Sequence, residues 1–104
     1  MDRQTLSRSA PLMVNVIGGL FYQGWYEDRS ADETLELAVA YRPLAEREAL
    51  VHEIDGLLAA LPTTEDVEDF FLSFNVDIDF RRDFGGDVRA WLESAREVVR
   101  GFAS

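Results

Sequence analysis

Two prolines, Pro43 and Pro62, bracket a segment whose apolar residues repeat with the period of an α-helix. Leu50, Ile54, Leu57, Leu58 and Leu61 fall on one stripe, at i, i+4, i+7, i+8 and i+11. A strand, whose side chains alternate between two faces, cannot gather those five positions on one side. Pro43 suits a first helical turn, and Pro62 stops the helix. A helix with one apolar stripe owes its stability in water to whatever covers that stripe. The rest of the chain must therefore supply partners for it.

It supplies helices. Pro11 opens a segment running to Phe21 or Tyr22, with Leu12, Val16 and Leu20 at four-residue spacing. Its β-branched residues Val14, Val16 and Ile17 make a strand the competing reading. Ser30 followed by Glu33 is a capping-box pattern that opens the next helix. Leu35, Val39 and Arg42 then share a face, with Leu37 and Ala38 beside it, and Pro43 ends the run. Thr63 or Thr64 caps a fourth helix with Glu65 and Asp66 in its first turn and Val67, Phe70, Phe71 and Phe74 on its apolar side. Gly85-Gly86 breaks the chain, and Asp87 caps a last helix striped by Val88, Trp91, Leu92, Ala95, Val98, Val99 and Phe102. Val76 to Phe80 alternates like a strand, but no second strand exists to pair with it, so an ordered loop over about 75–87 is expected. The expectation is an all-α fold: a compact single-domain bundle of about five helices over residues 1–104, with an ordered acidic loop before the last helix. Residues 1–10 are expected to be a disordered N-terminal tail.

The chain has 104 residues, 47% of them apolar and 12% aromatic, which excludes a disordered chain. With no cysteine there is no disulfide, thiolate metal site or cysteine nucleophile. No apolar run reaches the roughly 18 residues that span a bilayer, and the first residues lack the pattern of a signal peptide. A cytoplasmic protein is expected. Twenty acids face ten arginines and no lysine, for a net charge of −10. That balance argues against nucleic acid or an anionic membrane as a direct ligand and favours a basic protein partner.

The acids are concentrated. Residues 65–87 hold eight of them (Glu65, Asp66, Glu68, Asp69, Asp77, Asp79, Asp83, Asp87) against Arg81 and Arg82, a local balance of −6. Residues 27–36 hold five against Arg29, a balance of −4.

Catalytic chemistry is sparse. His52 is the only histidine, with Glu48 one turn before it and Asp55 nearby. The trio is a conceivable half-site for a metal or general base, but the pattern is that of a surface residue on a charged helix face. Asp77 and Asp79 start like a calcium loop, yet Arg81 and Arg82 occupy its fifth and sixth positions, where a ligand and a glycine are required. No nucleotide or nucleophile motif is present. No cofactor, metal or enzymatic activity is expected. The aromatics Tyr22, Trp25 and Tyr26 read either as core plugs with polar tips or as interface anchors.

The order of features resembles the CdiI-type immunity proteins of contact-dependent growth inhibition systems. The resemblance rests on Gly18-Gly19-Leu20-Phe21-Tyr22-Gln23-Gly24-Trp25, the acidic turn Tyr26-Glu27-Asp28, and the Ser30-Ala31-Asp32-Glu33 cap. It continues through Glu53-Ile54-Asp55-Gly56-Leu57-Leu58-Ala59 to the Trp91-Leu92 pair, covering about residues 11 to 102. Tyr22 and Gly24 stand where the family usually has histidine and aspartate. The resemblance implies an α-helical protein that binds a cognate toxin domain, often a nuclease with a basic cleft, and blocks it without turnover. An orphan acidic adaptor, acting through protein binding or as a homodimer, is the alternative. The charge pattern selects Asp77, Asp79, Asp83 and Asp87 as the first toxin-facing residues and Glu65, Glu68 and Asp69 as the next. Trp25 and Tyr26 are the expected apolar anchors.

Overall fold

The computed structural model describes residues 3–21, 24–27, 29–74 and 76–103. Tyr22 and Gln23 of the aromatic segment, Asp28 of the first acidic zone and Asn75 at the start of the expected loop lie outside the described residues. In chain order the helices are α1 (Arg3–Ser9), α2 (Pro11–Leu20), α3 (Ala31–Ala40), α4 (Leu44–Ala60), α5 (Thr64–Leu72), α6 (Phe80–Phe84) and α7 (Val88–Ala103). A 3₁₀ turn, Trp25–Glu27, follows the first glycine-aromatic segment. The fold is all-α, and no strand occurs among the described residues.

The proline-bracketed stripe is the heart of the packing. Leu50, Ile54, Leu57 and Leu58 of α4 are buried, and α7 lies along that helix with Val88, Leu92, Ala95 and Val99 facing it or its neighbours. Helices α3 and α5 pack on α7, while α1 and α2 pack on α4. Full burial of each of these aliphatic side chains is worth about 1.5–3 kcal/mol.

Helix starts follow local rules. The Ser30 side chain accepts from Glu33 N–H, and Glu33 accepts from Ser30 N–H, so the capping box closes as its spacing requires. Thr63 caps α5 by accepting from Asp66 N–H. Helix α2 has no side-chain cap of its own; Glu53 from α4 fills the gap, accepting from Met13 N–H at 2.8 Å.

Two arginines close helix ends that have no glycine cap. Arg89 of α7 donates to Leu58 O and Leu61 O at the end of α4 (3.0 and 2.9 Å). Arg47 of α4 donates to Val39 O and Ala40 O at the end of α3 and to Phe102 O near the end of α7, at 3.0–3.2 Å. Each guanidinium bonds carbonyls at a helix terminus, where the helix itself supplies few donors; Val39 O also accepts from backbone N–H groups of the turn that follows.

Two expectations need correction. Part of the expected tail is helix α1, and Leu6 is the reason: it is buried in the core, and α1 packs on α4. The expected acidic loop contains a helix, because Asp79 can cap it and Gly85, at φ +67°, can end it in the left-handed conformation. The inner face of α3 is Ala31, Thr34, Leu35 and Val39, and Leu37, beside it in the sequence pattern, points outward.

Candidate functional site

The aromatic segment and the acidic loop, some fifty residues apart in sequence, form one unit. Phe21 is buried, with its ring edge-on to Trp25 at 4.7 Å, Phe84 at 6.1 Å and Trp91 at 6.3 Å between centroids. Phe84 meets Trp91 at 4.8 Å. This cluster joins the corner after α2 to α6 and α7, and such edge-to-face pairs add to the burial itself. The Trp91 indole reaches on to α3, donating to Asp32 Oδ1 at 2.7 Å.

Asp77 ties the corner shut with three hydrogen bonds. Its N–H donates to Phe21 O (2.9 Å), its carbonyl accepts from Trp25 Nε1 (2.6 Å), and its carboxylate accepts from Gly24 N–H (3.1 Å). Gly24 sits at φ +80°, a conformation in which an L side chain is strained. Trp25 is only 4% exposed. Its indole polar atom is satisfied inside the fold, so Trp25 is a core plug and not a surface anchor.

The other loop aspartates also build the loop. Asp79 Oδ1 accepts from the N–H groups of Arg81 and Arg82, both at 3.0 Å, and caps α6. These bonds, that from Arg82 foremost, hold its carboxyl below the usual carboxylate range. Asp83 accepts from Asp79 N–H at 2.9 Å and is gripped by the Arg82 fork at 2.7 and 2.8 Å. Its side chain is 4% exposed. The same guanidinium lies 3.5 Å from the centroid of the Tyr26 ring, so one face of that half-exposed ring is covered. The bond to Asp83 raises the Arg82 pKa above its ordinary value. Asp87 accepts from the Thr64 hydroxyl and from Ala90 N–H (3.0 Å), and these bonds depress its carboxyl.

The acids of α5 are different. The carboxylates of Glu65, Glu68 and Asp69 make no hydrogen bond or ion pair with another described residue. At i, i+3 and i+4 they share one outward face, which Leu72 (56% exposed) completes at i+7. The two groups of acids therefore differ in what they do inside the fold: the four loop aspartates accept hydrogen bonds from the backbone, and the three α5 carboxylates accept none from the described residues. Sequence distance hid the first half of this, since Asp77 meets Gly24 across 53 residues.

An open cavity of about 430 Å³ lies beside the corner, lined by Tyr26, Arg29, Ser30, Glu33, Arg82 and Asp83. His52 is exposed on α4, and Asp55 near it is paired with Arg96 at 3.1 Å. Among the described residues no group of three His, Asp or Glu side chains is placed to hold a metal ion. No helix among them is long and apolar enough to cross a membrane.

A family model described as CdiI immunity protein matches residues 9–99. No curated protein and no solved structure matches the chain.

Proposed function

The chain belongs to the CdiI immunity protein family, and on that premise we propose that it binds a cognate toxin domain and neutralises it stoichiometrically, with no turnover. The proposed toxin is a nuclease, and the basic cleft that would hold its nucleic acid is the surface this protein occupies. The observation that carries the reading is the unpaired acidic face of α5. Glu65, Glu68 and Asp69 present three carboxylates that the fold does not use, on a chain of net charge −10. Carboxylates so placed stand in for phosphates and speed the approach of a cationic cleft. Asp87 holds the start of that helix through Thr64, and Asp77, Asp79 and Asp83, which fix the loop before α7, add their charge to the field of the whole molecule. The protein acts in the cytoplasm, where such a toxin would meet its substrate.

The test uses the toxin domain encoded by the reading frame adjacent to this gene. Wild-type protein is expected to bind it and to protect cells that express it. Glu65→Lys, Glu68→Lys and Asp69→Lys together should slow association by at least about tenfold at low salt, the loss shrinking as salt screens the field. His52→Ala should protect fully. Failure of the wild-type protein to bind or protect overturns the reading; unchanged association of the triple variant at low salt overturns the α5 face.

A further inference from the structure

Exposed carboxylates govern how fast a cationic partner arrives and add little to how long it stays. Long residence comes from a few apolar or aromatic anchors that lose water on binding. The acidic region offers none of consequence: Trp25 is buried, Tyr26 is covered on one face by Arg82, and Leu72 stands singly at the end of α5. The opposite situation holds at the α3–α4 corner. Leu37 (41% exposed), Tyr41 (86%) and Leu44 (54%) are exposed there within eight residues of sequence. Three of the five large exposed apolar side chains among the described residues thus fall in the short stretch where α3 ends and α4 begins, and exposed apolar side chains so concentrated point to a contact surface.

The surface is also concave. Leu37 and Ala40 of α3 and Phe102 of α7 form an apolar floor for an open groove of about 380 Å³, which Glu33, Glu36 and Arg29 border. Along α3 the outward residues run Glu33, Glu36, Leu37, Ala40 and Tyr41, at i, i+3, i+4, i+7 and i+8. The face is acidic at one end and apolar at the other. Arg47 is near, but its guanidinium is committed to three carbonyl oxygens.

We infer that this groove is the anchor site for the cognate toxin domain, and that the toxin element seated in it presents an apolar side chain next to a cationic one. The inference rests on the immunity reading. Charge decides against a second copy of this chain as the occupant. Two copies would each bring a net charge of −10 to the contact, with Arg29 the only cation on the groove border. A cationic toxin surface meets the same border favourably and buries the apolar floor.

The experiment measures association and dissociation rates for the toxin domain encoded next to this gene, its catalytic centre inactivated by substitution. The variant is Leu37→Gln with Tyr41→Ala; both side chains are exposed, and thermal unfolding checks that the fold is intact. The expected result is a Kd weaker by roughly thirtyfold, the size of a hot-spot loss, carried by faster dissociation. Glu36→Arg should instead slow association. If the wild-type protein binds and the double variant dissociates at the wild-type rate, the groove is wrong while the immunity reading stands. If the wild-type protein does not bind that domain, both fall. A purified dimer that the double variant converts to monomer, with toxin dissociation unchanged, assigns the groove to a second copy and overturns the inference.

Discussion

Replacing Asp77 by alanine separates a structural role from a toxin-facing one. The substitution leaves the backbone bonds of residue 77 to Phe21 O and from Trp25 Nε1 in place and removes only the carboxylate that accepts from Gly24 N–H at 3.1 Å. A hydrogen bond to a charged acceptor is worth about 1.5–3 kcal/mol, and the site is partly buried, so the lower end, about 1.5 kcal/mol, is the expectation. Unfolding entropy of about 2.1 cal/mol/K per residue over 104 residues converts that loss to a fall of about 7 °C in Tm. Asp77→Asn keeps an acceptor at the same place and should lose less than half as much. Thermal unfolding by circular dichroism reads both, beside toxin-domain affinity for the folded variants. Below the transition both variants should bind the toxin domain about as well as the wild type, because this carboxylate faces the corner. An Asp77→Asn protein of wild-type Tm that no longer binds the toxin domain would refute the reasoning, and the sequence-based choice of Asp77 as a contact would be right after all.

Asp79 and Asp87 make stability sensitive to acid. Both folded pKa values lie below the ordinary 3.8, so their stabilisation is complete above that value and is lost as pH falls through the folded values. Asp79→Asn with Asp87→Asn should flatten the acid limb of Tm against pH; an unchanged limb would show that other carboxylates set it. Ser30→Ala opens the capping box and should cost about 1 kcal/mol, read as a drop in Tm with helix content otherwise retained.

Most of the fold was legible because its signals are local. Ser30 and Glu33, and Thr63 and Asp66, are three residues apart, a reach that a pattern can carry. The stripes of α4, α5 and α7 were read correctly since each buries one periodic face. Helix α1 is not legible because among its described residues Leu6 alone is buried, and one residue has no period. The inner face of α3 is less legible for the converse reason: Leu35, Leu37, Ala38 and Val39 are all apolar, and the packing of α2 and α7 decides which of them turn inward. Which acids the fold engages is not legible in charge. Composition counts Asp77 and Glu68 alike, whereas backbone donors supplied by the corner and by α6 consume one class of acid and leave the other free.

The position of Arg47 bears on how the anchor surface behaves in solution. One planar side chain terminates α3 and also grips the main chain of α7 at Phe102, while its own helix is α4. The floor of the α3 groove is contributed by two of those three elements. A docking partner therefore meets a surface already held in its binding shape and orders little of it on arrival, which lowers the entropic cost of association. Lysine in the same place could reach only one of those oxygens at a time with a point charge. The groove would then open and close with the two helix ends, and residence time would fall with no contact residue altered.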